Sequence, residues 1–159
     1  MKIAVGSDHA GFVLKGVIID HLKSGDYEVV DHGTFSPDPI DYPDICASVA
    51  RSVRDGLCDF GVVLGGSGQG EQLAANKVFG ARAALCPDEF TARLARMHNN
   101  ANIISMGARI VAEEYALSIL DVFLKTSFEG GRHEARLAKL HQIEIDEARA
   151  FNVVDQGNN

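Results

Sequence analysis

Short apolar runs alternate with amphipathic stretches along this chain. Residues 2–6 (KIAVG) are apolar up to a glycine, which predicts a buried strand. Over residues 10–23 the apolar positions Phe12, Leu14, Val17, Ile18 and Leu22 recur at helical spacing. A second short strand is expected at 27–30. It is followed by a loop, DHGTFSPDPIDYPD, that holds three of the four prolines. Proline suits the first turn of a helix, so a helix is expected to start near Tyr42 and Pro43 and run to residue 54. Residues 59–64 (DFGVVL) read as a buried strand that runs straight into GGSGQG. Helices are then expected at 71–78, 87–98 and 111–125, with strands at 81–85 and 102–106 between them. A last helix is expected over 132–150.

Repeated strand–helix units with apolar strands imply parallel strands covered by helices on both faces. The expected fold is therefore α/β, a three-layer Rossmann-like sandwich around a parallel sheet of about five strands. A single domain over residues 1–150 accounts for the pattern, with 151–159 as a flexible tail. The last helix follows no further strand, so it packs either on its own sheet or on a partner subunit.

Composition narrows the partners. At 159 residues, 23% charged and 46% hydrophobic, the chain suits one soluble domain. Its net charge of -7 argues against nucleic acid or an anionic membrane, which call for a basic face. A small anionic ligand needs only a few local donors and is not excluded. No apolar stretch approaches the roughly 20 residues of a membrane helix, and the N-terminus lacks a signal-peptide pattern. Cys46, Cys58 and Cys86 are odd in number and have no CxxC spacing. They read as reduced, buried thiols of a cytoplasmic protein. None lies in a glycine-rich turn or beside a histidine, so none is a candidate nucleophile.

Polar residues gather where the predicted strands end, which is where open α/β sheets bind ligands. Ser7, Asp8 and His9 follow the first strand, Gly65 to Glu71 the third, and Gly107 to Arg109 the fifth. His98 and Asn99 close the helix before the fifth strand. All are expected to converge on one edge of the sheet. The loop GGSGQG can bring bare backbone N–H groups close to an anion, although such turns also serve as packing devices. It is no P-loop, since no GK[ST] follows. It is also a poor dinucleotide fingerprint, because it follows the third strand and not the first.

Glu71 either complements a helix dipole or serves as a general base at the rim of an oxyanion-binding loop. Asp8 at a helix start also reads as an N-cap, and His98 at a helix end as a dipole partner. Arg132 and Arg136 lie four apart on one helix face. With Arg109 they would clamp a phosphate; alone they are a solvated face. The absence of HExxH and of paired CxxC motifs argues against a metal site.

Five ordered segments carry a resemblance: GSDHAGF near the N-terminus, DYPD at 41–44, GGSGQGEQLAANK at 65–77, ARLARMHNNANIISMGAR at 92–109 and GGRHEAR at 130–136. Together they resemble ribose-5-phosphate isomerase type B, in the family shared with galactose-6-phosphate isomerase subunits and allose-6-phosphate isomerase. The resemblance spans roughly residues 1–145. It implies a Rossmann-like sandwich, a homodimer or homotetramer with the site shared between subunits, and no metal or coenzyme. It implies interconversion of D-ribose 5-phosphate and D-ribulose 5-phosphate through a cis-enediolate; the alternatives are isomerisation of a hexose 6-phosphate or a tetrose phosphate, and a non-catalytic phosphosugar-binding subunit, against which intact Asp8, Glu71 and His98 argue. It assigns Asp8 and His98 to ring opening, and His9, Arg109, Arg132 and Arg136 to the phosphate. Tyr42 and Asn99 would line the sugar, and the loop amides around Gly66, Gly68, Gln69 and Gly70 would hold the enediolate. Many members carry a cysteine base where this chain has Ser67. A branch with GGSGxGE uses a glutamate matching Glu71, with the serine as a hydrogen-bonding residue, and this chain follows that branch.

Overall fold

A computed structural model describes the backbone of residues 1–156 and the side chains of residues 1–151. Residues 157–159 of the expected tail lie outside the described residues. The chain divides into two compact units, Met1–Phe128 and a second beginning at Glu129.

In the first unit the alternation seen in the sequence becomes a β/α progression. The strands are β1 (Lys2–Ser7), β2 (Glu28–Asp31), β3 (Phe60–Gly65), β4 (Ala83–Leu85) and β5 (Ile103–Gly107), and the helices are α1 (Phe12–Ser24), α2 (Tyr42–Arg54), α3 (Gln69–Ala75), α4 (Glu89–Asn99) and α5 (Glu113–Lys125). The five strands form one sheet in the order β2-β1-β3-β5-β4, and every pairing is parallel.

Side chains alternate across the sheet and feed two cores. Ile3, Val5, Val62, Leu64, Ile104 and Met106 point to the layer formed by α1, α4 and α5. Ala4, Val63, Ala83 and Ile103 point to the layer of α2 and α3. Ile104 is fully buried on β5. Ile104→Ala should cost about 2–5 kcal/mol of stability, read as a lower denaturation midpoint with an unchanged slope in urea.

The strand order also positions the site. β1 leads into α1 on one face, whereas β3 leads into α3 on the other. Adjacent strands whose crossovers leave on opposite faces open a crevice at their carboxyl ends.

Element boundaries shift where side chains replace backbone pairing. α3 begins two residues before the expected start because Gly68, at φ 79°, turns the chain into the helix. It stops at Asn76, whose side-chain amide donates to the Ala83 carbonyl at 2.9 Å and accepts from the Ala83 N–H at 2.7 Å. β4 is shorter than expected, since Arg82 N–H is taken by the Asn102 side chain at 2.7 Å. Cys46, Cys58 and Cys86 are buried and free, as read from the sequence.

The second unit contains α6 (Arg132–Gln156), entered through Gly130 and Gly131 at positive φ. The helix runs beyond residue 150, so part of the expected tail, 151–156, has helical backbone. Leu140, Ile143 and Phe151 along it are exposed.

Candidate active site

The site is built where β1, β3 and β5 end. Asp8 follows β1 and is 8% exposed. Its N–H donates to the Leu64 carbonyl at 3.1 Å, and its Oδ1 accepts from the Gly11 N–H at 3.0 Å. The first bond fixes the Asp8 backbone on β3, and the second, with burial, fixes the carboxylate. It belongs to the turn that precedes α1, whose N-cap is Gly11 without a side-chain cap.

β3 ends at Gly65, and the missing side chain there is essential to the site. A Cβ at this position would lie 1.8 Å from Glu71 Oε1 and 2.2 Å from its Cδ. The Glu71 carboxyl thus occupies the space a side chain at residue 65 would need. Only 4% of Glu71 is exposed, so it is not a solvated carboxylate complementing a helix dipole. Burial raises its pKa above the usual value, and the negative charge of Asp8 adds to the rise. Backbone N–H groups of Glu71 itself and Gly68 oppose it.

Behind the two carboxyls sits Cys46 of α2, fully buried. Burial pushes its thiol up to about 12, with Glu71 and Asp8 contributing in the same direction. The thiol is therefore a neutral wall and not a nucleophile.

The loop after Gly65 is held from several sides. Ser67 is exposed and its Oγ accepts from the Gln69 N–H at 3.3 Å. The Gly68 carbonyl accepts from the Ser105 hydroxyl at 2.6 Å. A Cβ at Gly107 would lie 2.6 Å from the Ser67 carbonyl carbon, so β5 and the loop touch backbone to backbone. Ala108 and Arg109 donate their N–H groups to the carbonyls of Gly65 and Gly66 at 2.8 and 3.0 Å. The Arg109 guanidinium lies over Gly66, 3.4 Å from where its Cβ would be. The Tyr42 ring lies against Gly70 with Cζ 2.6 Å from the corresponding point. His9 is exposed, and its Nδ1 accepts from the Ile40 N–H at 3.4 Å.

One crevice thus gathers Asp8, Tyr42, the 65–70 loop, Glu71 and Arg109, with His9 at its rim. His98 and Asn99 do not join them, contrary to the expectation of a single edge. They end α4, and the chain passes from them directly into the start of β5, where Asn102 accepts from the Gly61 N–H at the beginning of β3. β5 then spans roughly 13–16 Å before reaching the loop. The physical reason is general: helices joining parallel strands run antiparallel to them, so their C-termini lie at the opposite edge. Arg132 and Arg136 stand in the first turns of α6 in the second unit. Both are exposed, and Arg132 Nε approaches His133 Nε2 at 3.3 Å. Cys46 was read as a buried thiol, but its place beside the two carboxyls and the seat at Gly65 escaped the sequence reading. The doubled glycine at 65–66 was the only signal for the seat, and Cys46 had none.

Comparison with known proteins converges on one group. Residues 3–140 match the profile of a family described as Ribose/Galactose Isomerase. Ribose-5-phosphate isomerase B of Escherichia coli (strain K12) is 43% identical over 143 residues, covering 90% of this chain and 96% of that protein. Ribose-5-phosphate isomerase B of Mycobacterium leprae (strain TN) is 48% identical over 147 residues, covering 91% and 90%. Among solved structures, ribose-5-phosphate isomerase B of Clostridium thermocellum superposes with a TM-score of 0.92 at 48% identity, covering 92% of this chain and 99% of that one. The Mycoplasma genitalium enzyme with bound ribulose-5-phosphate gives 0.86 at 43% identity, covering 90% and 95%.

Proposed function

This chain belongs to the ribose/galactose isomerase family, and from that premise we propose that it interconverts D-ribose 5-phosphate and D-ribulose 5-phosphate. The observation that carries the chemistry is the Glu71 carboxyl seated over Gly65, buried and beside Asp8. In its ionised form Glu71 takes the proton from C2 of the open-chain sugar. The electron pair forms a cis-enediolate, a proton moves between the two oxygens, and Glu71 returns its proton to C1. One carboxylate reaches both carbons because they are bonded neighbours. Backbone N–H groups around Gly66, Gly68, Gln69 and Gly70 stabilise the enediolate oxygens, and Ser67 orders that loop through the Gln69 N–H.

Asp8 and His98 assist ring opening, and Tyr42 and Asn99 line the sugar. His9, Arg109, Arg132 and Arg136 hold the phosphate, whose binding energy anchors a flexible substrate away from the reacting carbons. His98 and Asn99 lie across the sheet from the loop of their own chain, so they serve the site of a second copy. A homodimer or homotetramer acting in the cytoplasm fits this arrangement, with the last helix packing on the partner.

The test is a panel of ribose 5-phosphate, hexose 6-phosphates and a tetrose phosphate, run with EDTA present and no nucleotide added. The highest kcat/KM is expected for ribose 5-phosphate. A hexose phosphate in first place would move the assignment to another phosphosugar, and no turnover on any member would refute an isomerase.

A further inference from the structure

Arg96 of α4 is a buried cation, and among the described residues no carboxylate pairs with it. It is 7% exposed. Its guanidinium carbon lies 4.6 Å from the ring centroid of Phe60 and 5.6 Å from that of Phe123, two rings in edge-to-face contact. Its Nε is buried and has no hydrogen-bond partner among the described residues. Burial and the nearby charge of Arg82 both disfavour its charged form. A slot between two phenylalanines is filled at less cost by an aliphatic side chain, because an ion without a counter-ion loses its hydration. Stacking on the two rings offsets part of that cost, but it asks nothing of the guanidinium's hydrogen bonds.

What the guanidinium does reach is the turn after α4. One nitrogen donates to the Ala101 carbonyl at 2.5 Å and to the Asn100 side-chain oxygen at 2.9 Å. Asn100 caps the helix at φ 43°, a conformation uncommon for a residue with a side chain. Its own carbonyl is taken by Arg82 Nε at 2.9 Å. Two arginines thus brace one left-handed residue from both sides, and the residues immediately before it are His98 and Asn99.

We propose that Arg96 is a positioning residue whose buried guanidinium locks the Asn100 turn and so fixes His98 and Asn99 for catalysis. The proposal rests on the reading of His98 as a substrate-contacting residue. Arg96 touches no substrate itself. Its charge is retained because a neutral side chain would fill the slot yet release the turn.

Four proteins decide the matter: Arg96→Met, His98→Asn, the double variant, and Asn100→Gly. Methionine fills the slot between the rings but leaves the Ala101 carbonyl without its donor, so the protein should stay folded with at most a modestly lower melting temperature. kcat/KM for ribose 5-phosphate should nevertheless fall about 10- to 100-fold from misplacement. In the His98→Asn background the same change should cost clearly less than in the wild type, the remainder coming from Asn99, because Arg96 and His98 are coupled. Asn100→Gly tolerates the positive φ but removes the amide that Arg96 holds. It should lose about fivefold or more and serves as the independent check if Arg96→Met fails to fold. Additive losses in the double variant, or normal activity in Arg96→Met or a folded Asn100→Gly, overturn the proposal while leaving His98 in place. Normal activity in His98→Asn refutes the site reading itself, and the proposal falls with it.

Discussion

Glu71→Gln should lower kcat by about 10²–10⁴-fold and abolish exchange of the C2 proton with solvent, while substrate binding persists. Glutamine keeps the shape that fills the space above Gly65 but cannot accept the proton. The fold should not suffer. Burial, then the charge of Asp8, raises the Glu71 pKa above 4.5. A carboxyl with a raised folded-state pKa favours the fold fully below its unfolded value and loses that contribution as pH rises through the folded value. Near neutral pH the wild-type protein therefore carries a destabilising ionised group that the glutamine variant lacks. The variant's melting temperature should equal or exceed wild type there, and the difference should shrink in acid. The same shift governs activity, since only ionised Glu71 is a base. The acid limb of the pH–kcat/KM profile, which reports the free enzyme, should lie above the ordinary glutamate range. Asp8→Asn removes the smaller of the two raising causes and should move that limb down, whatever else it does to the rate. Persistent C2 exchange in Glu71→Gln would place the base elsewhere.

The sheet was readable because its strands are short, apolar and bounded by glycine or proline, and because parallel strands buried on both faces leave few polar interruptions. The turn at 65–70 before α3 was readable for a related reason, since a strand that ends in glycines marks a strand–helix turn, but burial of Glu71 was not, because a carboxylate at a helix start equally suits the helix dipole. The placement of His98 was misjudged by attending to its polarity and not to its topology. A helix end that precedes a parallel strand belongs at the strand's starting edge, and the order of elements already said so. Arg96 was hidden differently. In sequence it is one of several basic residues on an amphipathic helix, and arginine is seldom fully buried. Only the packed rings of Phe60 and Phe123, brought from two distant elements, reveal that this one points inward. The neutral thiol of Cys46 is likewise a property of three segments meeting, and no spacing within one of them encodes it.

Gly65→Ala should inactivate the protein nearly as thoroughly as removing Glu71, by about 10²-fold or more in kcat, with little loss of stability. Gly65 ends a strand and its φ is not in the left-handed region, so alanine meets no backbone strain. The added methyl collides with Glu71 Oε1 at 1.8 Å and its Cδ at 2.2 Å. Those atoms are the far end of a flexible side chain, which can swing away at modest cost to the fold. In doing so the carboxyl leaves the place where it reaches both carbons of the substrate. Gly107→Ala makes the contrasting case. There the methyl would meet the Ser67 backbone at 2.6 Å, and backbone braced by the 2.6 Å hydrogen bond from Ser105 to Gly68 cannot yield in the same way. Gly107→Ala should therefore lower the melting temperature as well as activity. Thermal melts paired with C2 exchange separate the two outcomes. Gly65→Ala with a normal melt and no exchange means that glycine is required at 65 as the seat of the base. Normal exchange in Gly65→Ala would mean that Glu71 works from another position, and the geometry assigned to proton transfer would be wrong.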